Sequence, residues 1–253
     1  MIRLISTDFD GTIYGMDSHP EITSEFLEKI GRLQKSGVKW VINTGREIED
    51  LSSRLREVCP IFPDFIITVE RQIHMRQDEK YDEHAEWNAC CHAEHQTLFS
   101  QAGELLHQIR EWISGKFDAH FYEDLWSPLC IIASTDTEAD VIHRHAEKRC
   151  GEIPCLSVVR NGGYFRFSHQ RYNKGTAMEE VGRLLGLRRE EIFAAGDHYN
   201  DLPMLDGTYA QWVGAPSNAI PEVKEVVGKA GGFVANRSCS LGVVDALSHF
   251  QKS

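Results

Sequence analysis

The segment Asp8-Phe9-Asp10-Gly11-Thr12 sets two carboxylates two residues apart, directly after a short, mostly apolar run at residues 2–7. In an extended chain residues i and i+2 face the same side. If residues 2–7 form a strand, both acids emerge together at its carboxyl end. Paired acids of this kind can hold a divalent cation, attack an electrophile, or give and take protons. Gly11 lets the backbone turn sharply and approach an anion. Three further segments carry complementary groups. Asn43-Thr44-Gly45-Arg46 offers a hydroxyl and free backbone N–H groups at a helix start, which is a seat for a phosphate. Lys174, at the mouth of another helix, can neutralise a phosphate oxygen as a point charge. Gly196-Asp197-His198-Tyr199-Asn200-Asp201 adds two more carboxylates and an amide.

These groups need elements that bring them together. Residues 2–7, 38–43 and 65–69 read as strands by length and apolar content. Residues 23–35, with Phe26, Leu27, Ile30 and Leu33 at helical spacing, and residues 47–58, with Ile48, Leu51 and Leu55, read as helices. Gly37 stands where a helix C-terminus wants it. The alternation predicts an α/β fold, a doubly wound parallel sheet covered by helices. From Lys174 it returns: a helix at 176–185 closed by Gly186, strands at 192–195 and 209–213, and helices at 221–227 and 241–250. Between these parts, residues 77–95 are polar and rich in His and acids. Helices are expected at 98–113 and 139–150 and strands at 120–122 and 129–133. A hairpin at 156–160 and 164–168 turns on Asn161-Gly162-Gly163. The expected organisation is a core from residues 1–76 and 172–253, interrupted by an inserted α+β domain at 77–171.

In a doubly wound sheet of order 3-2-1-4-5 the first and fourth strands are neighbours at the switch point. Asp8, Asp10 and Asp197 then converge on one cation. An all-oxygen set with few protein ligands suits Mg²⁺, and acids this close need such a cation to stay ionised.

Composition narrows the function classes. The formal net charge of the 253-residue chain is -11, which argues against nucleic-acid or anionic-membrane partners. Seven cysteines at irregular spacing form no disulfide framework and suggest reduced thiols. No signal peptide and no membrane span is read from the sequence, so a cytoplasmic location is the default expectation. Cys90-Cys91-His92-Ala93-Glu94-His95 matches no structural zinc spacing and reads as solvated helix surface. Trp87, Trp112 and Trp126 read as packing residues, and His198 as a substrate contact or a loop residue. Oligomeric state is not legible.

Taken in order, Asp8-x-Asp10-Gly11-Thr12, Thr44, Lys174 and Gly196-Asp197-x-x-Asn200-Asp201 resemble the four motifs of the haloacid dehalogenase superfamily. The position of the insert, between the second and third motifs, resembles the type IIB capped members, which include Cof-type sugar phosphatases. Met204-Leu205 and the stretch from Ala219 to Lys224 extend the likeness. The resemblance implies a Rossmann-like core with a cap that selects the leaving group, and a Mg²⁺-dependent phosphomonoesterase acting on a small phosphorylated metabolite, foremost a sugar phosphate. It implies Asp8 as nucleophile and Asp10 as acid and base, with Thr44, Lys174 and the Gly11 backbone stabilising the phosphoryl oxygens. Asp8, Asp10 through its main-chain carbonyl, and Asp197 are the implied metal ligands. Asp201 joins that set through water or acts on Lys174, and Gly45, Arg46 and Asn200 line the phosphate side. One stretch departs from the pattern: Val69-Glu70-Arg71 stands where Cof-type members carry Ser-Asn-Gly, and Glu70 is a candidate bond to a sugar hydroxyl or an amine. Two other readings of the same residues are a phosphomutase, which returns the phosphoryl group to sugar, and a non-catalytic phosphate-sensing module.

Overall fold

The structure, a computed structural model, describes residues 1–15, 19–78 and 80–251. Along the chain β1 (Leu4–Thr7), α1 (Ser24–Lys35), β2 (Lys39–Asn43), α2 (Ile48–Val58) and β3 (Phe65–Thr68) alternate, followed by β4 (Gln72–Gln77) and β5 (Lys80–Glu83). Next come α3 (Ala85–Ser114), β6 (His120–Tyr122), β7 (Cys130–Ile132), α4 (Asp136–Cys150), β8 (Leu156–Asn161) and β9 (Tyr164–His169). The last stretch holds α5 (Lys174–Leu184), β10 (Ile192–Ala195), α6 (Leu202–Leu205), β11 (Trp212–Ala215), α7 (Pro221–Lys229), β12 (Phe233–Val234) and α8 (Cys239–Gln251). Two compact units result, residues 1–88 with 174–253, and residues 89–173.

The first unit is built on one sheet of order β12-β11-β10-β1-β2-β3-β4-β5. Pairing is parallel from β12 to β3, and β4 and β5 are added antiparallel at one edge. β1 therefore lies between β2 and β10, with Leu4 opposite both Lys39 and Ile192. The two-residue period of the strands sorts their side chains onto two faces. Ile5, Trp40, Ile42, Ile66 and Phe193 pack with Phe26 and Ile30 of α1, Leu51 and Leu55 of α2, and Leu247 of α8. Leu4, Val41, Ile67 and Ala194 pack with Met178 and Val181 of α5, Met204 of α6, and Val223 and Val227 of α7. Both faces are dry, which is why the strands read as apolar runs.

The second unit is a four-stranded antiparallel sheet of order β6-β7-β9-β8. Its core joins Ile131, Phe165 and Phe167 of the sheet to Leu98, Leu105 and Ile109 of α3 and Ile142 and Ala146 of α4. Thr135 caps α4 by accepting from the Glu138 N–H at 3.2 Å, a Thr-x-x-Glu start.

Several elements differ from the sequence reading. The insert was expected from residue 77, but β4 and β5 belong to the sheet of the first unit and the division falls at Ala89. Helix α3 begins at Ala85 rather than 98. Its first buried positions in the second unit are Cys91 and His95, which continue at helical spacing into Leu98, Ala102 and Leu105. Polar residue types occupy the stripe there, so no apolar period announced it. Cys91 and His95 are thus buried rather than solvated. The His95 Nδ1–H donates to the Cys91 carbonyl at 2.7 Å and its Nε2 accepts from the His169 N–H at 3.0 Å. Strand β3 ends at Thr68 because Val69 takes a left-handed φ of 43°. None of the seven cysteines forms a disulfide. Among the described residues no helix is long and apolar enough to cross a membrane.

Candidate active site

The parallel pairing of β1 with β10 carries one residue past the strand, where the Asp8 N–H donates to the Ala195 carbonyl at 2.9 Å. That bond fixes Asp8 beside the segment 196–201. Gly11 then takes a φ of 77°, which places its α-carbon against the Asp197 carboxylate. A β-carbon at Gly11 would collide with that carboxylate, so the position admits only glycine. Thr12, fully buried, donates its hydroxyl to Asp197 Oδ1 at 2.7 Å.

Lys174 is the first residue of α5 and is completely buried. Its Nζ donates to Asp8 Oδ1 at 2.6 Å and to Asp201 Oδ1 at 2.5 Å. The Asn43 amide holds the Lys174 carbonyl at 2.9 Å. The other oxygen of Asp201 accepts from the N–H groups of Asp197 and His198 at 2.8 and 2.9 Å. Asp201 is therefore bound on both oxygens and serves to pin the 196–201 loop and the lysine.

Asp8, Asp197 and Asp201 each bring one carboxylate oxygen within 4.8 Å of the others. Burial, then Asp201 and Asp197, push the Asp8 carboxyl well up from its ordinary range, against the pull of Lys174. Burial and Asp201 push Asp197 up to about 7. Burial pulls the Lys174 ammonium down, but Asp201, Asp8 and Glu70 outweigh it and hold the lysine charged. Three carboxylates against one buried cation leave an excess of negative charge. Oδ2 of Asp8 and Oδ2 of Asp197 accept no hydrogen bond among the described residues. This oxygen set fits a hard divalent cation such as Mg²⁺, which takes carboxylate and carbonyl oxygens and keeps several waters.

Asp10 lies outside that acidic group. Its carboxylate is forked by Arg46, Nε to Oδ2 and Nη2 to Oδ1, each at 2.7 Å. Arg46 also reaches Asp50 at 2.8 Å and lies over the Phe9 ring. Asp10 was expected on the cation through its main-chain carbonyl, which this pairing leaves untouched, and Arg46 on the phosphate. In the structure the two side chains engage each other, because the start of α2 brings the guanidinium alongside β1.

Thr44 is buried, its N–H donates to the Ile67 carbonyl at 2.8 Å, and its hydroxyl accepts from the Arg46 N–H at 3.2 Å. Glu70 is tied to the same segment, since its N–H donates to the Thr44 carbonyl at 2.9 Å. Val69 and Glu70 both have positive φ, 43° and 69°. A β-branched residue there is an outlier, and each such residue costs about 1–3 kcal/mol. Glu70 is buried, and its Oε1 accepts from the Asn200 amide at 3.1 Å. His198 turns its Nδ1 to the Tyr199 N–H at 2.9 Å.

Asp8, Lys174, Asp197, Asp201, Thr44, Gly45, Glu70 and Asn200 thus share one end of the sheet, at the carboxyl ends of β1, β2, β3 and β10, as the switch-point rule requires. Sequence reasoning missed three supporting residues. Thr12 stood inside the first motif but had no role until Asp197 was seen beside it. Asn43, next to Thr44, read as a strand end. Asn218, which donates to the Gly11 carbonyl at 2.7 Å and accepts from the Cys239 N–H at 2.8 Å, carries no local signal.

Comparison with known proteins adds four findings. Residues 5–69 and 73–247 match the family model described as haloacid dehalogenase-like hydrolase. The Bacillus subtilis (strain 168) protein YxeH, which carries a phosphatase name, is 25% identical over 98% of this chain and 97% of its own length. A phosphoglycolate phosphatase of Thermoplasma volcanium is 31% identical over a shorter stretch, 45% of this chain and 46% of that protein. Among solved structures, the sucrose-phosphatase of Synechocystis sp. PCC6803, determined with sucrose and phosphate, superposes with a TM-score of 0.74 at 20% identity, covering 99% of both chains.

Proposed function

The chain belongs to the haloacid dehalogenase-like hydrolases, and from that membership and the site geometry we propose that it is a Mg²⁺-dependent phosphomonoesterase acting on a small phosphorylated metabolite, foremost a sugar phosphate. The observation that carries this reading is the Asp8 carboxylate. One oxygen is held by Lys174 and the other accepts no bond among the described residues, at the carboxyl end of the central strand. That is how a nucleophile is presented: oriented through one atom, available through the second.

Asp8 Oδ2 attacks phosphorus and the ester oxygen leaves, giving an aspartyl-phosphate. Asp10 donates a proton to the departing alcohol, then accepts one from the water that attacks the intermediate, which returns Asp8 and frees inorganic phosphate. Arg46 forks the Asp10 carboxylate in its ionised form, which orients it to take the proton of the attacking water; while Asp10 carries the proton for the departing alcohol, one of the two contacts opens. Thr44 and the backbone N–H groups around Gly45 receive phosphoryl oxygens, whereas the Gly11 N–H donates to the Tyr14 carbonyl at 2.8 Å; Lys174 keeps a positive charge beside Asp8. Asp8, Asp197 and the Asp10 carbonyl are the proposed Mg²⁺ ligands, with Asp201 behind them. Bound there, the cation would supply positive charge for the phosphoryl oxygens. Residues 89–173 are the proposed substrate-selecting domain. The sugar preference rests on the four motifs and on the names of relatives: sucrose-phosphatase, and a sugar phosphatase of HAD subclass IIB that matches at a TM-score of 0.65.

The test is inorganic phosphate release from a panel of sugar phosphates and one aryl phosphate, with Mg²⁺, with chelator, and with Asp8→Asn. Release that requires Mg²⁺ and disappears in Asp8→Asn supports the reading. Transfer of the phosphoryl group between sugars without phosphate release points to a mutase, and phosphate binding with no turnover points to a sensor.

A further inference from the structure

We propose that Glu70 and Asn200 form an acceptor-only subsite beside the phosphate seat, which takes a hydroxyl or ammonium donor of the leaving group and rejects leaving groups that carry a carboxylate. The inference rests on the phosphatase reading above and deepens it.

Glu70 sits in the three-residue turn between β3 and β4. The turn is clamped to the segment after β2 by two backbone bonds, Val69 N–H to the Arg46 carbonyl at 3.0 Å and Glu70 N–H to the Thr44 carbonyl at 2.9 Å. A third bond, Arg71 N–H to the Thr68 carbonyl at 2.9 Å, closes it. The clamp directs the Glu70 side chain inward. Oε1 lies 3.4 Å from where a β-carbon of Gly45 would stand and 3.1 Å from the Asn200 amide nitrogen.

Glu70 and Asn200 are each only 6% exposed. Glu70 Oε2 and Asn200 Oδ1 are buried atoms without a hydrogen-bond partner among the described residues. Both are acceptors. The nearby ammonium of Lys174 directs its hydrogen bonds to Asp8 and Asp201. The turn itself has no need of a glutamate, since its left-handed φ favours Gly or Asn. A buried carboxylate with an unmet oxygen, held in an unfavourable backbone conformation, is a group kept for what it meets. Its location next to Thr44 and Gly45 restricts that group to the portion of the substrate nearest the ester. Unmet acceptors receive O–H or N–H donors and repel carboxylates. The two donor sources, hydroxyl and ammonium, are separated by experiment.

Values of kcat/KM for glycerol phosphate, ethanolamine phosphate and phosphoglycolate are compared in wild type, Glu70→Gln and Glu70→Gly. The glycine variant suits the left-handed turn and guards against loss of fold. Wild type is expected to favour the hydroxyl or amine ester over phosphoglycolate by tenfold or more, and both variants to narrow that ratio at least tenfold. A larger loss for ethanolamine phosphate identifies ammonium as the donor, and a larger loss for glycerol phosphate identifies hydroxyl. Ratios within twofold of wild type in both variants, with wild type active, overturn this inference alone. No phosphate release by wild type from these esters or from an aryl phosphate overturns the phosphatase reading and this inference with it.

Discussion

Arg46 grips Asp10 through two parallel contacts, Nε to Oδ2 and Nη2 to Oδ1, each 2.7 Å long. The pair joins the first turn after β1 to the start of α2, and its planar fork fixes the carboxylate plane as well as its position. A lysine in place of Arg46 offers a point charge and no fork. Arg46→Lys should therefore lower kcat by about tenfold or more while changing KM little, because misorientation of a proton-transfer group acts on the chemical step. Steady-state kinetics on the best substrate checks this. Equal losses in kcat and KM-dependent binding would assign Arg46 to phosphate instead.

The acidic group ties stability to pH and to metal. Burial and Asp201 push Asp197 up to about 7, and burial with Asp201 also raises Asp8. A carboxyl with a raised folded value binds its proton more tightly when folded. Its contribution to stability is full below the ordinary carboxylate range and is lost as pH rises through about 7. In chelator, the melting temperature of wild type relative to Asp197→Asn should fall between about pH 5 and pH 8. Mg²⁺ should restore wild type at the upper end and do little at the lower end or for the variant. A pH-independent difference between the two proteins would disprove the coupling.

Among the described residues Lys174 is the one cation inside this group of acids, and it is fully buried. Lys174→Met would leave Asp8 and Asp201 buried without it. Removing one partner of a buried ion pair costs about 3–5 kcal/mol, so the urea midpoint should drop markedly along with activity. Asp201→Asn should also destabilise, because the loop from Asp197 to His198 hangs on that side chain. Urea titrations of the two variants test both statements.

In the second unit His95 accepts from the His169 N–H and donates to the Cys91 carbonyl. His95→Ala should lower stability by about 1–3 kcal/mol, since it leaves a buried N–H without its partner. Hydrogen exchange at the His169 amide should accelerate in that variant.

The sheet and the acids at its edge were legible because they depend on local periods. Asp8 and Asp10 follow a strand of period two, and Asp197 follows another, so topology alone placed Asp8 and Asp197 side by side. The parts that escaped are those where side chains pair across the sequence. Nothing near Arg46 says that it meets Asp10, and nothing near Asn218 says that it holds Gly11. β4 and β5 escaped because they are short and carry few apolar residues: only Ile73 and Met75 interrupt the polar run of Gln72–Gln77, and only Tyr81 that of Lys80–Glu83. The left-handed turn at Val69 and Glu70 was hidden for the opposite reason. Neither residue type signals positive φ, and only the clamp to Thr44 and Arg46 imposes it.

The central place of β1 has a bearing on how the chain is made. β1 pairs on one side with β2, which leaves the ribosome soon after it, and on the other with β10, whose residues 192–195 come far later. At about 5–20 residues per second, one flank of β1 waits on the order of ten to forty seconds for its partner. Throughout that interval the nascent polypeptide exposes an unpaired, apolar strand edge, a target for holding chaperones and for misassociation between neighbouring chains on a polysome. Any product released early, short of Asp197, would lack a completed sheet as well as a charge centre, so prematurely terminated translation should yield material for proteolysis rather than a partly active enzyme.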